Sequence, residues 1–167
     1  MIDTNWYALW VRSRYEFVTA GELKCKGVEY FLPFVTKMRQ WNDRIKKIDF
    51  PLFPGYLFVH VARRADIFLS VVKSRGAVAL VALEPGYPTP VAMEEIQSLK
   101  LLLESGQPIE IYPGLQEGTP VRIRRGPLSG AVGVMATKAD EHRFTVNVDI
   151  LGRSVGLRIL ADDVERI

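Results

Sequence analysis

Residue types able to do chemistry are sparse in this chain, and their spacing does not bring them together. The two histidines are His60, inside a run of β-forming residues, and His142, in a polar Asp140-Glu141-His142 turn. Nucleophilic catalysis or metal binding needs several such groups at one point, and neither histidine has a neighbour that suggests it. The single cysteine, Cys25, can form no internal disulfide and has no second cysteine for a zinc site. It reads as a small core residue on a helix. Acidic side chains are scattered, and there is neither a glycine-rich phosphate loop nor a paired Cys or His spacing. No catalytic residue, metal or cofactor is expected, and the chain is not read as an enzyme.

An apolar fraction of 48% with 25% charged residues excludes a disordered chain. No run approaches the roughly 18 uninterrupted apolar residues of a membrane span, and the stretch Met1 to Trp10 lacks the pattern of a secretory signal. A cytoplasmic protein without a membrane partner is therefore expected, and a monomer is also expected. The net charge of +3 is unevenly spread: residues 1–104 hold 14 Lys and Arg against 11 Asp and Glu, and residues 105–167 hold 8 against 8. The excess lies in the first part, which is compatible with a nucleic-acid contact and too small to demand one.

The elements that would position functional groups fall into two patterns. Trp6 to Arg12 reads as a strand and Tyr15 to Lys26 as a helix, with Phe17, Val18, Leu23 and Cys25 at near-helical spacing before Gly27. Phe34 to Trp41 and Ile45 to Phe50 flank Asn42 and Asp43 as the arms of a very basic hairpin. Leu52 to Val61 reads as a strand, Arg64 to Lys73 as a short helix, Ala77 to Leu83 as a strand and Met93 to Leu103 as a helix. Ser105 to Gly114, with a glycine and two prolines among the residues up to 113, reads as a linker. Beyond it the period is two, in Val121 and Ile123, in Phe144, Val146 and Val148, and in Val155, Leu157 and Ile159, which describes a small barrel of short strands.

Alternation along a strand sets Trp6, Ala8 and Trp10 opposite Tyr7, Leu9 and Val11, and Tyr56 and Phe58 opposite Leu57, Val59 and Val61. Both faces are apolar. Helices on two sides would account for most of these residues, but three short helices leave part of one aromatic face open, as partner surfaces are.

The stretch Pro51-Leu-Phe-Pro-Gly-Tyr-Leu-Phe-Val59, with Trp6-Tyr7 opening the first strand, resembles the N-terminal (NGN) domain of NusG-family transcription factors. Gly118-Thr-Pro-Val-Arg-Ile-Arg-Arg-Gly-Pro-Leu-Ser-Gly-Ala-Val-Gly133 resembles a KOW motif. The resemblance implies an α+β architecture: an NGN domain over residues 1–104, a mixed sheet flanked by helices, joined by a linker at 105–115 to a KOW β-barrel at 116–167. It further implies binding to the β′ clamp helices of RNA polymerase through Trp10, Phe53, Pro54, Tyr56 and Phe58, bridging the DNA cleft and suppressing pausing or termination. Trp6 to Arg12 and Lys73-Ser-Arg-Gly76 are similar to the specialised, operon-selective RfaH-like branch, which nominates Arg12, Lys73 and Arg75 beside non-template DNA. That branch also contacts the polymerase β gate loop, through a polar run where this chain has the apolar Asp66 to Ser70. In the KOW domain the resemblance implies a partner, ribosomal protein S10 or Rho, at the turn holding Leu151, where the housekeeping members have phenylalanine, and Leu151 is expected to be exposed there. A ribosomal or general RNA-binding KOW protein is the rival reading, which a neutral C-terminal part argues against. Six glycines with Pro120 and Pro127 between residues 118 and 160 penalise a helical form of this domain.

Overall fold

The computed structural model describes residues 3–167; Met1 and Ile2, with which the first expected domain begins, lie outside them. Contacts divide the chain after Val91 into two compact units.

The first unit is a sheet with two helices and a separate ribbon. Its elements are β1 (Thr4–Val11), α1 (Glu16–Cys25), β2 (Glu29–Phe31), β3 (Phe34–Trp41), β4 (Arg44–Pro51), β5 (Tyr56–Ala62), α2 (Ala65–Val72), β6 (Ala77–Leu80) and β7 (Pro90–Val91). The sheet order is β2-β5-β1-β6, with β7 also on β1, while β3 and β4 pair only with each other. The α+β class stands, although every sheet pairing is antiparallel where a mixed sheet was expected. Odd-numbered residues of β1 and β5, Tyr7, Leu9, Val11, Leu57, Val59 and Val61, form the core with Ala20 and Leu23 of α1 and Val71 of α2. Each Leu or Val side chain among them removed from water contributes about 1.5–3 kcal/mol.

Helix α1 corrects the sequence reading. Its buried residues are Glu16, Thr19, Ala20 and Leu23, spaced as one helical stripe, whereas Phe17, Val18 and Cys25 are exposed. Of the four residues named from the sequence only Leu23 packs inward, because two polar residues take part of the inner face and find partners there: the Thr19 hydroxyl donates to Arg75 O at 2.6 Å, and Glu16 accepts backbone N–H groups. The strand expected from Leu52 starts only at Tyr56. Before it, Pro54 and Gly55 turn the chain, with Gly55 at φ +87° and Tyr56 N–H donating to Phe53 O at 3.0 Å.

The second unit comprises α3 (Met93–Glu104), β8 (Glu110–Tyr112), β9 (Thr119–Ile123), β10 (Val132–Lys138), β11 (Glu141–Val148), β12 (Arg153–Ile159) and β13 (Val164–Arg166). The strands form an antiparallel sheet in the order β13-β9-β10-β11-β12-β8, around Val121, Ile123, Phe144, Val146, Val148, Val155 and Leu157. Gly133 is obligatory: a Cβ there would lie 2.9 Å from the Phe144 ring. Ala139 and Asp140, both at positive φ, make the tight turn between β10 and β11.

Two sequence expectations shift here. Helix α3 lies on β10 and β11, with Ile96, Leu99 and Leu102 buried and Val132 N–H donating to the Ser98 hydroxyl at 2.9 Å, so the contact boundary precedes this helix instead of following residue 104. The segment read as a linker contains β8, which pairs with β12, and Ser154 donates to Gly114 O at 2.7 Å. Among the described residues no helix is long and apolar enough to cross a membrane.

Candidate functional site

Three rungs across β1 and β5 build the second, even-numbered face of the first sheet: Trp6 opposite His60, Ala8 opposite Phe58, and Trp10 opposite Tyr56. The first is closed by stacking, the indole and imidazole centroids 4.9 Å apart. Phe58 in the middle rung is fully buried, stacked on Phe31 at 6.1 Å and met edge-on by Phe53 at 6.3 Å. The third rung opens furthest, with Trp10 50% exposed, Tyr56 half-buried and Pro54 exposed. Of the five expected pocket residues, Trp10, Pro54 and Tyr56 thus reach the surface. Phe53 and Phe58 do not: both are fully buried and meet each other edge to face.

A residue that sequence reading missed fixes this rung. Glu16, buried at the start of α1, accepts the N–H of Arg14 at 3.2 Å and of Gly55 at 3.3 Å on one carboxylate oxygen, while Val11 N–H donates to Gly55 O at 2.8 Å. The two loops that follow β1 and β4 are thereby tied together. The one available signal was an acid in the first helical turn, which ordinarily serves the helix dipole on the surface.

The neighbouring edge is basic. Arg12 N–H donates to Gly76 O at 2.8 Å, which draws the end of β1 against the loop after α2. Gly76 has φ +84°, and a Cβ there would fall 2.6 Å from Tyr15 Cβ, so only glycine fits. Lys73 caps α2, Arg75 lies over the Tyr15 ring at 5.9 Å, and Glu22 accepts the Arg75 N–H. Arg12, Lys73 and Arg75 share this edge, and Arg14, at φ 71°, joins them. All four are exposed, and among the described residues no carboxylate pairs with their side chains. Along α2, the apolar Asp66 to Ser70 segment contributes Phe68 and Leu69 to an open depression of about 420 Å³ with Val78, Leu80 and Tyr87.

In the second unit Leu151 ends a single 3-10 turn, Asp149–Leu151, and is half-buried where an exposed side chain was expected. Asp149 N–H donates to the Glu95 carboxylate at 3.2 Å, tying the turn to α3. Burial pushes the Glu95 carboxyl up to about 7; the hydrogen bond from Asp149 opposes that shift and the Asp149 charge adds to it.

The remaining reactive types do not converge. His60 Nδ1 sits 3.3 Å from Glu29, His142 Nδ1 meets the Thr137 hydroxyl at 2.9 Å, and among the described residues no group of three His, Cys, Asp or Glu could hold a metal ion.

Known proteins resemble this chain along its length. The NusG family model, described as transcription termination factor nusG, matches residues 4–100. The transcription termination/antitermination protein NusG of Halalkalibacterium halodurans is 23% identical over 180 residues, covering 99% of this chain and 100% of its own. That of Staphylococcus carnosus is 27% identical over 177 residues, covering 98% and 96%. A solved structure of Thermotoga maritima NusG shares the fold at a TM-score of 0.52 and 23% identity, covering 99% of this chain and 98% of that one.

Proposed function

The chain belongs to the NusG family, and from that premise we propose that it is a non-enzymatic transcription elongation factor that binds RNA polymerase and suppresses pausing or termination. The observation that carries this reading is the third rung: a half-exposed indole, Trp10, cross-strand from Tyr56 on a face elsewhere largely buried, held by Glu16 and the Pro54–Gly55 turn. A rigid aromatic pair beside a proline is the kind of anchor on which interface energy concentrates. In this proposal Trp10, Pro54 and Tyr56 meet the β′ clamp helices, with Phe53 and Phe58 as their support. Arg12, Arg14, Lys73 and Arg75 face non-template DNA as the factor bridges the cleft. The depression beside Leu69 is the surface available to the β gate loop, and the Asp149–Leu151 turn is the contact for ribosomal protein S10 or Rho. Operon selectivity follows from the RfaH-like Lys73 to Gly76 stretch.

Pulldown of core RNA polymerase tests the reading. Truncating an interface anchor costs 2 kcal/mol or more, about a thirtyfold loss of affinity. Trp10→Ala and Tyr56→Ala are each expected to show that loss while keeping their unfolding midpoint. Undiminished capture by both would overturn the assignment.

A further inference from the structure

The β3–β4 ribbon carries a surface that neither the Trp10 rung nor the Arg12 edge uses. Opposed residues of an antiparallel pair share a face, so the register Lys37↔Ile48, Arg39↔Lys46 and Trp41↔Arg44 sets Lys37, Arg39, Arg44 and Lys46 on one face with Trp41. Phe50 lies on it too, opposite Val35. The other face holds Thr36 with Asp49, Met38 with Lys47, and Gln40 with Ile45. Asp49, the sole carboxylate within β3 and β4, is thus turned away, accepting from the Thr36 hydroxyl at 2.6 Å. Four exposed cations share one face with no acid among them.

A ribbon that merely needed solvation would gain by alternating its charges. Here Arg39 and Lys46 stand directly opposed, an arrangement that costs folding stability. The Phe50 ring organises the face: Lys37 Nζ lies 5.7 Å and the Arg39 guanidinium 5.5 Å from its centroid. Residues two apart along a strand advance about 6.8 Å, which sets the cations out as a ladder suited to a flexible polyanion. Trp41 ends the ladder 70% exposed. An indole with an open face has nothing to stack on in a duplex, whose bases stack on one another, and nothing in an acidic peptide. In single-stranded nucleic acid it has every base. We infer that this face binds a single-stranded nucleic acid, its phosphates along the four cations and one base on Trp41.

The test is fluorescence anisotropy on the full chain carrying Arg12→Ala, Lys73→Ala and Arg75→Ala, a background that removes the other basic edge and involves no polymerase. Probes are 12-mer oligothymidylate, 12-mer oligouridylate and a 12-base-pair DNA duplex, with polyglutamate as competitor. The single strands are expected to bind more tightly than the duplex, and their relative affinities identify DNA or RNA as the preferred source. The log–log salt slope should be roughly −3, at about 0.7 per neutralised phosphate. Lys37→Gln, Arg39→Gln, Arg44→Gln and Lys46→Gln together should abolish that slope. Trp41→Ala should weaken binding at least about fivefold with the slope unchanged. Lys47→Gln, on the opposite face, should keep the affinity. Loss of all binding in the background chain, indifference to the fourfold or the Trp41 substitution, equal affinity for the duplex, or displacement by polyglutamate as effective as by oligonucleotide would each overturn the inference.

Discussion

Phe53 and Trp10 belong to one aromatic group but separate under substitution. Phe53 is fully buried against Phe58, so Phe53→Ala is expected to lower unfolding stability by about 3–5 kcal/mol in urea titration. Trp10, half-exposed, should change stability by less than about 1 kcal/mol when truncated, its effect appearing in partner binding. If Phe53→Ala unfolds at the same urea concentration as the parent, the packing assigned to it is wrong. Strand parity made the face itself legible in the sequence. What it could not supply was depth, because whether an aromatic lies on a surface or beneath it depends on Phe31 and Phe53 arriving from elsewhere in the chain. Glu16 and Cys25 were illegible for the converse reason: residue type argued that the acid was outside and the thiol inside, and two backbone N–H groups reversed the first.

Among the elements, α3 carries the titration most open to measurement. The Glu95 carboxyl, ordinarily near 4.5, is held up to about 7 in the folded state. Between those values the folded chain keeps a proton that the unfolded chain releases, so this contribution to stability is complete below about pH 4.5 and is lost as pH rises through 7. Unfolding of the second unit, followed by circular dichroism in urea, should show stability declining across that window. Glu95→Gln, neutral and still able to accept the Asp149 N–H, should remove that decline and leave the unit more stable than the parent at pH 8. A parent and variant with the same pH profile would show that Glu95 does not titrate there. Elements of seven or more residues were legible wherever period and punctuation agreed, as in β3 and β4 around Asn42 and Asp43. The three-residue strands β8 and β13 were not, since so short a segment has no period and its pairing with β12 or β9 is decided at a distance.

On the scale of the whole molecule, the attachment of α3 decides where the chain can be cut. An amphipathic stripe shows that Ile96, Leu99 and Leu102 bury a face and not which partner takes it, so the sequence pointed to residue 104 as a boundary whereas the contacts place one after Val91. A fragment of residues 92–167 is expected to unfold cooperatively. A fragment of residues 105–167, stripped of three buried apolar side chains worth about 1.5–3 kcal/mol each, should lose several kcal/mol in the same urea assay. Equal stability of the two fragments would show that α3 contributes nothing to the unit.

The one-sided ribbon makes the net charge of +3 a poor measure of how the chain is sensed. The field of four clustered cations reaches about 30 Å at 0.01 M ionic strength but only about 8 Å at physiological salt. In dilute buffer the ribbon acts as a long-range lure, and in the cell as a surface felt only on near collision. Association rates measured at low ionic strength would therefore report the reach of the ribbon, whereas rates at 0.15 M would report the fit of the surfaces.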